Sequence, residues 1–179
     1  YIKFEIGGDF ISEKEIILRL FISLIIGGLT GLEREKSNQF AGFRTHILVA
    51  VGSCITSITA VQLFISYSSY SNMDPARLPA QVLSGIGFIG AGAILKNSSG
   101  ITGLTTAAGI WATACIGIAI GYGQYLLGIV AWVLEMITLL SLKRIDKLFF
   151  KKSSCNLYLT ISSLDAITTT FAILKECKI

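Results

Sequence analysis

Two acids and two bases stand side by side at Glu33-Arg34-Glu35-Lys36, and a second polar group, Arg44-Thr45-His46, follows a short way on. Both are enclosed by apolar sequence. The plain reading is interfacial anchoring, with long side chains reaching for water. Against it, charges of both signs converging at a short loop suit a paired network better than lipid headgroups. Asp74 and Arg77 are three residues apart, so on a helix they could pair on one face. Glu135 lies near the middle of an apolar run. An ionised carboxylate there costs about 2.5–3.5 kcal/mol on insertion scales, so it must be protonated, paired or facing a wet cavity. It is a functional candidate or the glue of a helix contact, and the sequence does not name its partner.

Other chemistries are poorly supported. The chain has one histidine, His46, and its four cysteines (Cys54, Cys115, Cys155, Cys177) form no C-x-x-C pair. No zinc site, disulfide framework or other metal centre is expected, and the thiols read as buried and inert. Gly85-Ile-Gly87-Phe-Ile-Gly90 spells G-x-G-x-x-G, but no acidic residue follows at the distance a dinucleotide site needs. The better reading is glycine-lined helix faces: Gly85 and Gly92 share a face, Gly87 and Gly90 lie in the same run, and Gly27/Gly31 and Gly117/Gly121 repeat the theme. Small residues let backbones approach closely where lipid gives no hydrophobic drive for association. Thr105 and Thr106 open an apolar run and could cap its first turn or bond across to a neighbour. No nucleophile–base pair stands out. The chain is expected to be neither an enzyme nor a nucleic-acid binder, and to need no cofactor.

The elements that position these residues follow from composition. Hydrophobic residues make up 53% and charged residues 15% of the chain, against roughly a quarter charged in soluble domains. Mean hydropathy is +0.70. The fold class predicted is an all-α membrane protein. A bilayer core about 30 Å thick needs about 20 apolar residues per crossing, and five runs qualify: 16–32, 47–66, 78–95, 104–120 and 125–142. The third is weakest, and a re-entrant hairpin competes for it. With five spans, Arg34, Lys36, Arg44, Lys96 and Lys143–Lys152 share one face. The positive-inside rule then places the N-terminus outside and the C-terminus in the cytoplasm. That topology discounts the glycosylation signature Asn97-Ser98-Ser99. The membrane domain is expected over 1–152. The remainder, 153–179, alternates and then turns helical, as a short cytoplasmic β-α tail.

Four stretches together carry a family resemblance: GGLTGLERE (Gly27–Glu35), AGFRTHILVAVGS (Ala41–Ser53), DPARLPAQVLSGIGFIGAGAILK (Asp74–Lys96) and GLTTAAGIWATACIGIAIGYGQY (Gly103–Tyr125). The chain resembles the MgtC/SapB family of bacterial inner-membrane proteins. The resemblance implies about five transmembrane helices, and the tail resembles the start of the ACT-like domain many members carry. It also implies support of growth in low magnesium and of survival inside macrophages, by regulation more than by pumping, with links to the ATP synthase membrane sector and to membrane potential. The family's charged motif falls on Glu33, Arg34, Glu35, Arg44, Thr45, His46, Asp74 and Arg77. Its glycine and threonine motif falls on Gly85, Gly87, Gly90, Gly92, Thr105 and Thr106. Pro79 departs from the pattern and could kink the third helix. Glu135 belongs to no motif of the family, and the tail stops after one strand and one helix.

The reading favoured is a multi-pass regulator in the bacterial inner membrane. Its expected partners are the bilayer and another membrane protein, the ATP synthase being the candidate the resemblance supplies; a homo-oligomer stays open. The rival is an ion transporter or channel subunit, using the intramembrane polar residues and the short third helix.

Overall fold

The computed structural model describes residues 10–67, 73–97 and 100–149. These form five helices: α1 Glu13–Lys36, α2 Phe43–Tyr67, α3 Arg77–Gly92, α4 Leu104–Gly121 and α5 Tyr125–Phe149. A two-stranded antiparallel hairpin, β1 Leu95–Asn97 and β2 Gly100–Thr102, sits between α3 and α4, with Leu95 opposite Thr102. The chain divides into two compact units, Tyr1–Leu142 and Lys143–Ile179. All contacts described below belong to the first. The expected boundary after Lys152 and the β-α tail lie outside the described residues, as do Cys155 and Cys177.

Local chemistry explains most element ends. Ser12 caps α1, its hydroxyl accepting the Glu15 N–H at 3.3 Å, and Glu13 and Glu15 sit in the first turn, where the helix dipole favours acids. Pro79 is buried in the first turn of α3. N–H groups there have no intrahelical partner, so a proline removes no hydrogen bond. The expected third helix was to run to Leu95. It stops at Gly92, because residues 95–97 pair with 100–102 instead. Gly103 then turns the chain into α4 at φ +89°, and a Cβ there would collide with the Ala93 carbonyl.

Three helices, α1, α2 and α4, are long and apolar enough to cross a membrane. α3 has 16 residues, about 24 Å at 1.5 Å per residue, short of a bilayer core. The apolar part of α5, Tyr125–Ser141, is also short.

Side chains are distributed inside out. Phe88, Leu126 and Leu48 are 87%, 80% and 72% exposed, while Ser23, Thr30, Arg34, His46, Ser53, Ser57, Thr106 and Thr113 are buried. In water such an apolar coat would drive association; in lipid it is the expected outer surface. The chain is a helical membrane protein.

α2 is the central element, clasped between α1 and α4 by glycines. A Cβ on Gly27 would lie 2.6 Å from the His46 carbonyl and 2.9 Å from the Ala50 Cβ, and one on Gly31 would lie 2.6 Å from the Phe43 Cα. Across α2, Gly117 rests on the Ala50 carbonyl, and a Cβ on Gly121 would lie 2.5 Å from the Cys54 carbonyl. Ala50 is completely buried between Gly27 and Gly117.

The α3 glycines differ. Around Gly85, Gly87 and Gly92 nothing described lies within 4 Å of where a Cβ would stand, and Gly90 meets Ala107 only at ordinary contact distance, 3.6 Å. Close packing at Gly85, Gly87 and Gly92 is thus not made by the described residues of this chain. α3 turns Ile86 and Gly90 toward the bundle and leaves the other three on its open side.

Candidate functional site

The polar group that closes α1 folds onto the loop to α2. Arg34 is 4% exposed and pairs with the Glu33 carboxylate, whose other oxygen accepts the Ser37 hydroxyl at 2.8 Å. Glu35 is exposed and reaches across the loop, its carboxylate accepting the Phe43 N–H at 3.0 Å. Phe43 opens α2, so this acid caps α2 from outside that helix. Ser37 ends α1, Asn38 takes a left-handed conformation at φ +53°, and Gln39 N–H returns to the Arg34 carbonyl at 3.0 Å. The Gln39 side-chain carbonyl accepts the Thr106 hydroxyl at 2.8 Å and so ties the loop to α4.

Thr106 thus bonds across the bundle and caps nothing. The N-cap of α4 is Gly103, without a side-chain bond. Of the two roles open to this threonine, the contact between elements is the one realised.

His46 is completely buried, and its Nδ1 lies 3.0 Å from the Gly42 carbonyl. A carbonyl can only accept, so Nδ1 carries the proton and Nε2 is the bare nitrogen of the neutral ring. Among the described residues Nε2 has no partner. Thr45 is half-buried and Arg44 exposed, and among the described residues neither joins the hydrogen bonds and ion pairs of this cluster.

Glu135 approaches from α5. The Thr113 hydroxyl of α4 donates to its Oε1 at 3.2 Å, while Oε2 is buried without a partner among the described residues. One helical turn away, Trp132 donates its indole N–H to the fully buried Thr30 of α1 at 3.1 Å. The α5 face bearing Trp132 and Glu135 therefore meets the α1 face bearing Thr30 and Arg34.

A second polar knot lies near the start of α1. Arg19 pairs with Glu15 at 3.0 Å and donates to the Gly121 carbonyl at 2.8 Å, and the Tyr125 hydroxyl also donates to Glu15. A cation on the last carbonyls of α4 is well placed for its dipole.

Asp74 and Arg77, whose spacing would allow pairing, form no ion pair among the described residues. The Asp74 carboxylate instead accepts the Ala76 N–H at 2.9 Å, a local turn at the entry to α3. Tyr122 ties this turn to α4 by donating to the Pro75 carbonyl at 2.7 Å. Asp74 and Arg77 line a cavity of about 450 Å³ with Ala60, Leu63, Leu78 and Gln81.

The sequence-derived set thus separates. Glu33, Arg34, Glu35, Thr106 and His46 gather around one loop, Glu135 of α5 bonds instead to Thr113 of α4, and Asp74 and Arg77 form a different place. Gln39, Thr30, Thr113, Trp132, Arg19 and Glu15 were not anticipated as site residues. Their partners lie on other helices, so spacing carries no trace of them, apart from the Arg19–Glu15 pair at i, i+4. Among the described residues no group of three or more metal-ligating side chains occurs.

Comparison with known proteins gives concordant results. The profile of the MgtC family matches residues 20–148. YhiD of Escherichia coli K12, whose name proposes magnesium transport, is 41% identical over 158 residues, covering 87% of this chain and 72% of YhiD. SapB of Bacillus subtilis 168 is 47% identical over 116 residues, 63% of this chain and 50% of SapB. MgtC of Salmonella typhimurium LT2 is 39% identical over 109 residues, 61% of this chain and 44% of MgtC. The chain thus spans only half or less of the last two relatives. No solved structure matches it at a significant level.

Proposed function

This chain belongs to the MgtC family, and from that premise we propose that it is a membrane regulator supporting adaptation to low magnesium or survival inside macrophages. It works by helix contact with another membrane protein, the ATP synthase being the first candidate, and so affects membrane potential. It resides in the bacterial inner membrane as a multi-pass protein with the Arg34 end of the bundle facing the cytosol. Family membership carries the magnesium-related reading. The geometry supports regulation over pumping, since the charged motif is spent on structure: Glu33 neutralises Arg34, and Glu35 caps α2. α3, short and lined with unoccupied glycines, is the helix best shaped to receive a partner. Crosslinking and co-purification from native membranes, with ATP synthase activity read in inverted vesicles, tests this. No membrane partner, together with unchanged synthase activity, would overturn it.

One observation favours a second reading, magnesium transport: Glu135 presents a buried oxygen without a partner among the described residues. Purified protein in liposomes separates the two. Magnesium flux lost on Glu135→Gln or Asp74→Asn would establish transport, and no flux would leave regulation as the reading.

A further inference from the structure

We propose that the cavity at the entry to α3 binds the headgroup of a zwitterionic phospholipid, with the phosphate on Arg77 and the ammonium on Asp74. The cavity holds about 450 Å³, within the roughly 300–1,000 Å³ of small-molecule pockets. Its two charged residues do not cancel each other, since they form no ion pair among the described residues. The Asp74 carboxylate accepts the Ala76 N–H at 2.9 Å, which leaves it with acceptor capacity to spare. The Arg77 and Gln81 side chains have no hydrogen-bond or ion-pair partner among the described residues. α3 begins at Arg77 without a side-chain cap, so the positive end of its dipole adds to the guanidinium. The cavity thus offers a place for an anion and, three residues away, a place for a cation. The rest of its wall, Ala60, Leu63 and Leu78, is apolar.

The position suits the boundary between lipid and water. α2 ends at Tyr67 and α3 opens at Arg77, so the cavity lies at the bundle end opposite the α1–α2 loop. Ala60 stands seven residues before the end of α2, about 10 Å deeper at 1.5 Å per residue. A head at the rim therefore lays its first tail carbons against Ala60, Leu63 and Leu78. The charge pattern then selects among lipids. A phosphoethanolamine head carries N–H donors for Asp74 and phosphate oxygens for Arg77 and Gln81. A phosphocholine head has the same charges, but its quaternary nitrogen has no N–H to donate. A phosphoglycerol head has no cation and sets its negative charge near Asp74. Free phosphoethanolamine has the right head and leaves the apolar wall uncovered. The inference rests on this cavity alone and stands whether the chain regulates or transports.

The test compares headgroups on one set of tails. The full chain, purified in mild detergent and stripped of lipid, is offered phosphatidylethanolamine, phosphatidylcholine or phosphatidylglycerol with identical acyl chains, and bound lipid is counted by native mass spectrometry. Phosphatidylethanolamine should be retained about tenfold over the other two, the worth of one charge-assisted hydrogen bond. Arg77→Gln should weaken retention of all three, because all carry the phosphate. Asp74→Asn keeps an acceptor for the Ala76 N–H and should erase the preference for phosphatidylethanolamine over phosphatidylglycerol while lipid still binds. If Arg77→Gln does not fold, that change of preference decides the matter. Equal retention of the three lipids overturns the proposal, as does a preference that neither substitution moves. Free phosphoethanolamine that displaces the lipid at equal concentration also overturns it, since the ligand would then be a soluble zwitterion.

Discussion

The Glu35 carboxylate accepts the Phe43 N–H at 3.0 Å, so the acid that closes one helix caps the start of the next. α1 and α2 are joined by a short loop that must reverse direction at the bundle end, and this bond fixes where α2 begins. Glu35→Ala should lower stability by about 1 kcal/mol, the usual loss of an N-terminal cap. Glu35→Gln should lose less, since its amide oxygen still accepts. Thermal unfolding in a mild detergent checks both. Equal melting temperatures for all three proteins would show that the bond is idle.

The glycines divide into two groups that substitution should separate. Gly31→Ala must push against the Phe43 Cα, and Gly121→Ala against the Cys54 carbonyl. Both neighbours are backbone and cannot yield cheaply. Overpacking of this kind costs about 1–3 kcal/mol. Gly85→Ala meets nothing within 4 Å, and alanine favours helix by about 1 kcal/mol. Melting temperatures should therefore fall for the first two and hold or rise for the third. A loss at Gly85 in native membranes but not in detergent would locate a partner on α3.

These two groups also show what was legible beforehand. Long apolar runs betrayed α1, α2, α4 and α5, because length and hydropathy are local properties. The end of α3 was not legible: Ile94 and Leu95 continue an apolar run, and only pairing with residues 100–102 draws them into a strand. Gly27/Gly31 and Gly117/Gly121 carry the same small-residue signal as the α3 glycines, yet of these glycines only the first four lie so close to a backbone that a Cβ would collide with it. Spacing states that a face is smooth and cannot state what lies against it. Glu135 stood out as an acid in lipid, whereas its partner Thr113, on another helix, did not. The cluster around Arg34 could be read as polar and close to the loop. That Gln39 binds it to α4 could not.

α5 is held to α1 by the bond from Trp132 to Thr30. Trp132→Phe keeps an aromatic ring and removes the donor, leaving the buried Thr30 hydroxyl to find another partner. Interhelical hydrogen bonds in membranes are worth about 0.6 kcal/mol on average and about 1.7 at most. A double-mutant cycle of Trp132→Phe with Thr30→Val, read by unfolding in detergent, should give a coupling in that range. Strictly additive losses would mean that the two side chains touch without bonding.

Arg19 makes two different kinds of contact at once, an ion pair with Glu15 and a hydrogen bond to the Gly121 carbonyl. Its planar fork can serve both, and a lysine ammonium, a compact point charge, is poorly shaped to do so. The guanidinium also lies against Gly123, where φ is +78° and a Cβ would come within 2.8 Å of it. Only glycine leaves room for the arginine at that turn. Arg19→Lys should therefore lose about 1.5–3 kcal/mol, as expected when a hydrogen bond to a charged group is broken. Gly123→Ala should do similar harm by displacing the guanidinium. Because the two changes break the same contact, their combined loss should fall well short of the sum. Full additivity in the double variant would show that Gly123 serves the turn alone and does nothing for Arg19.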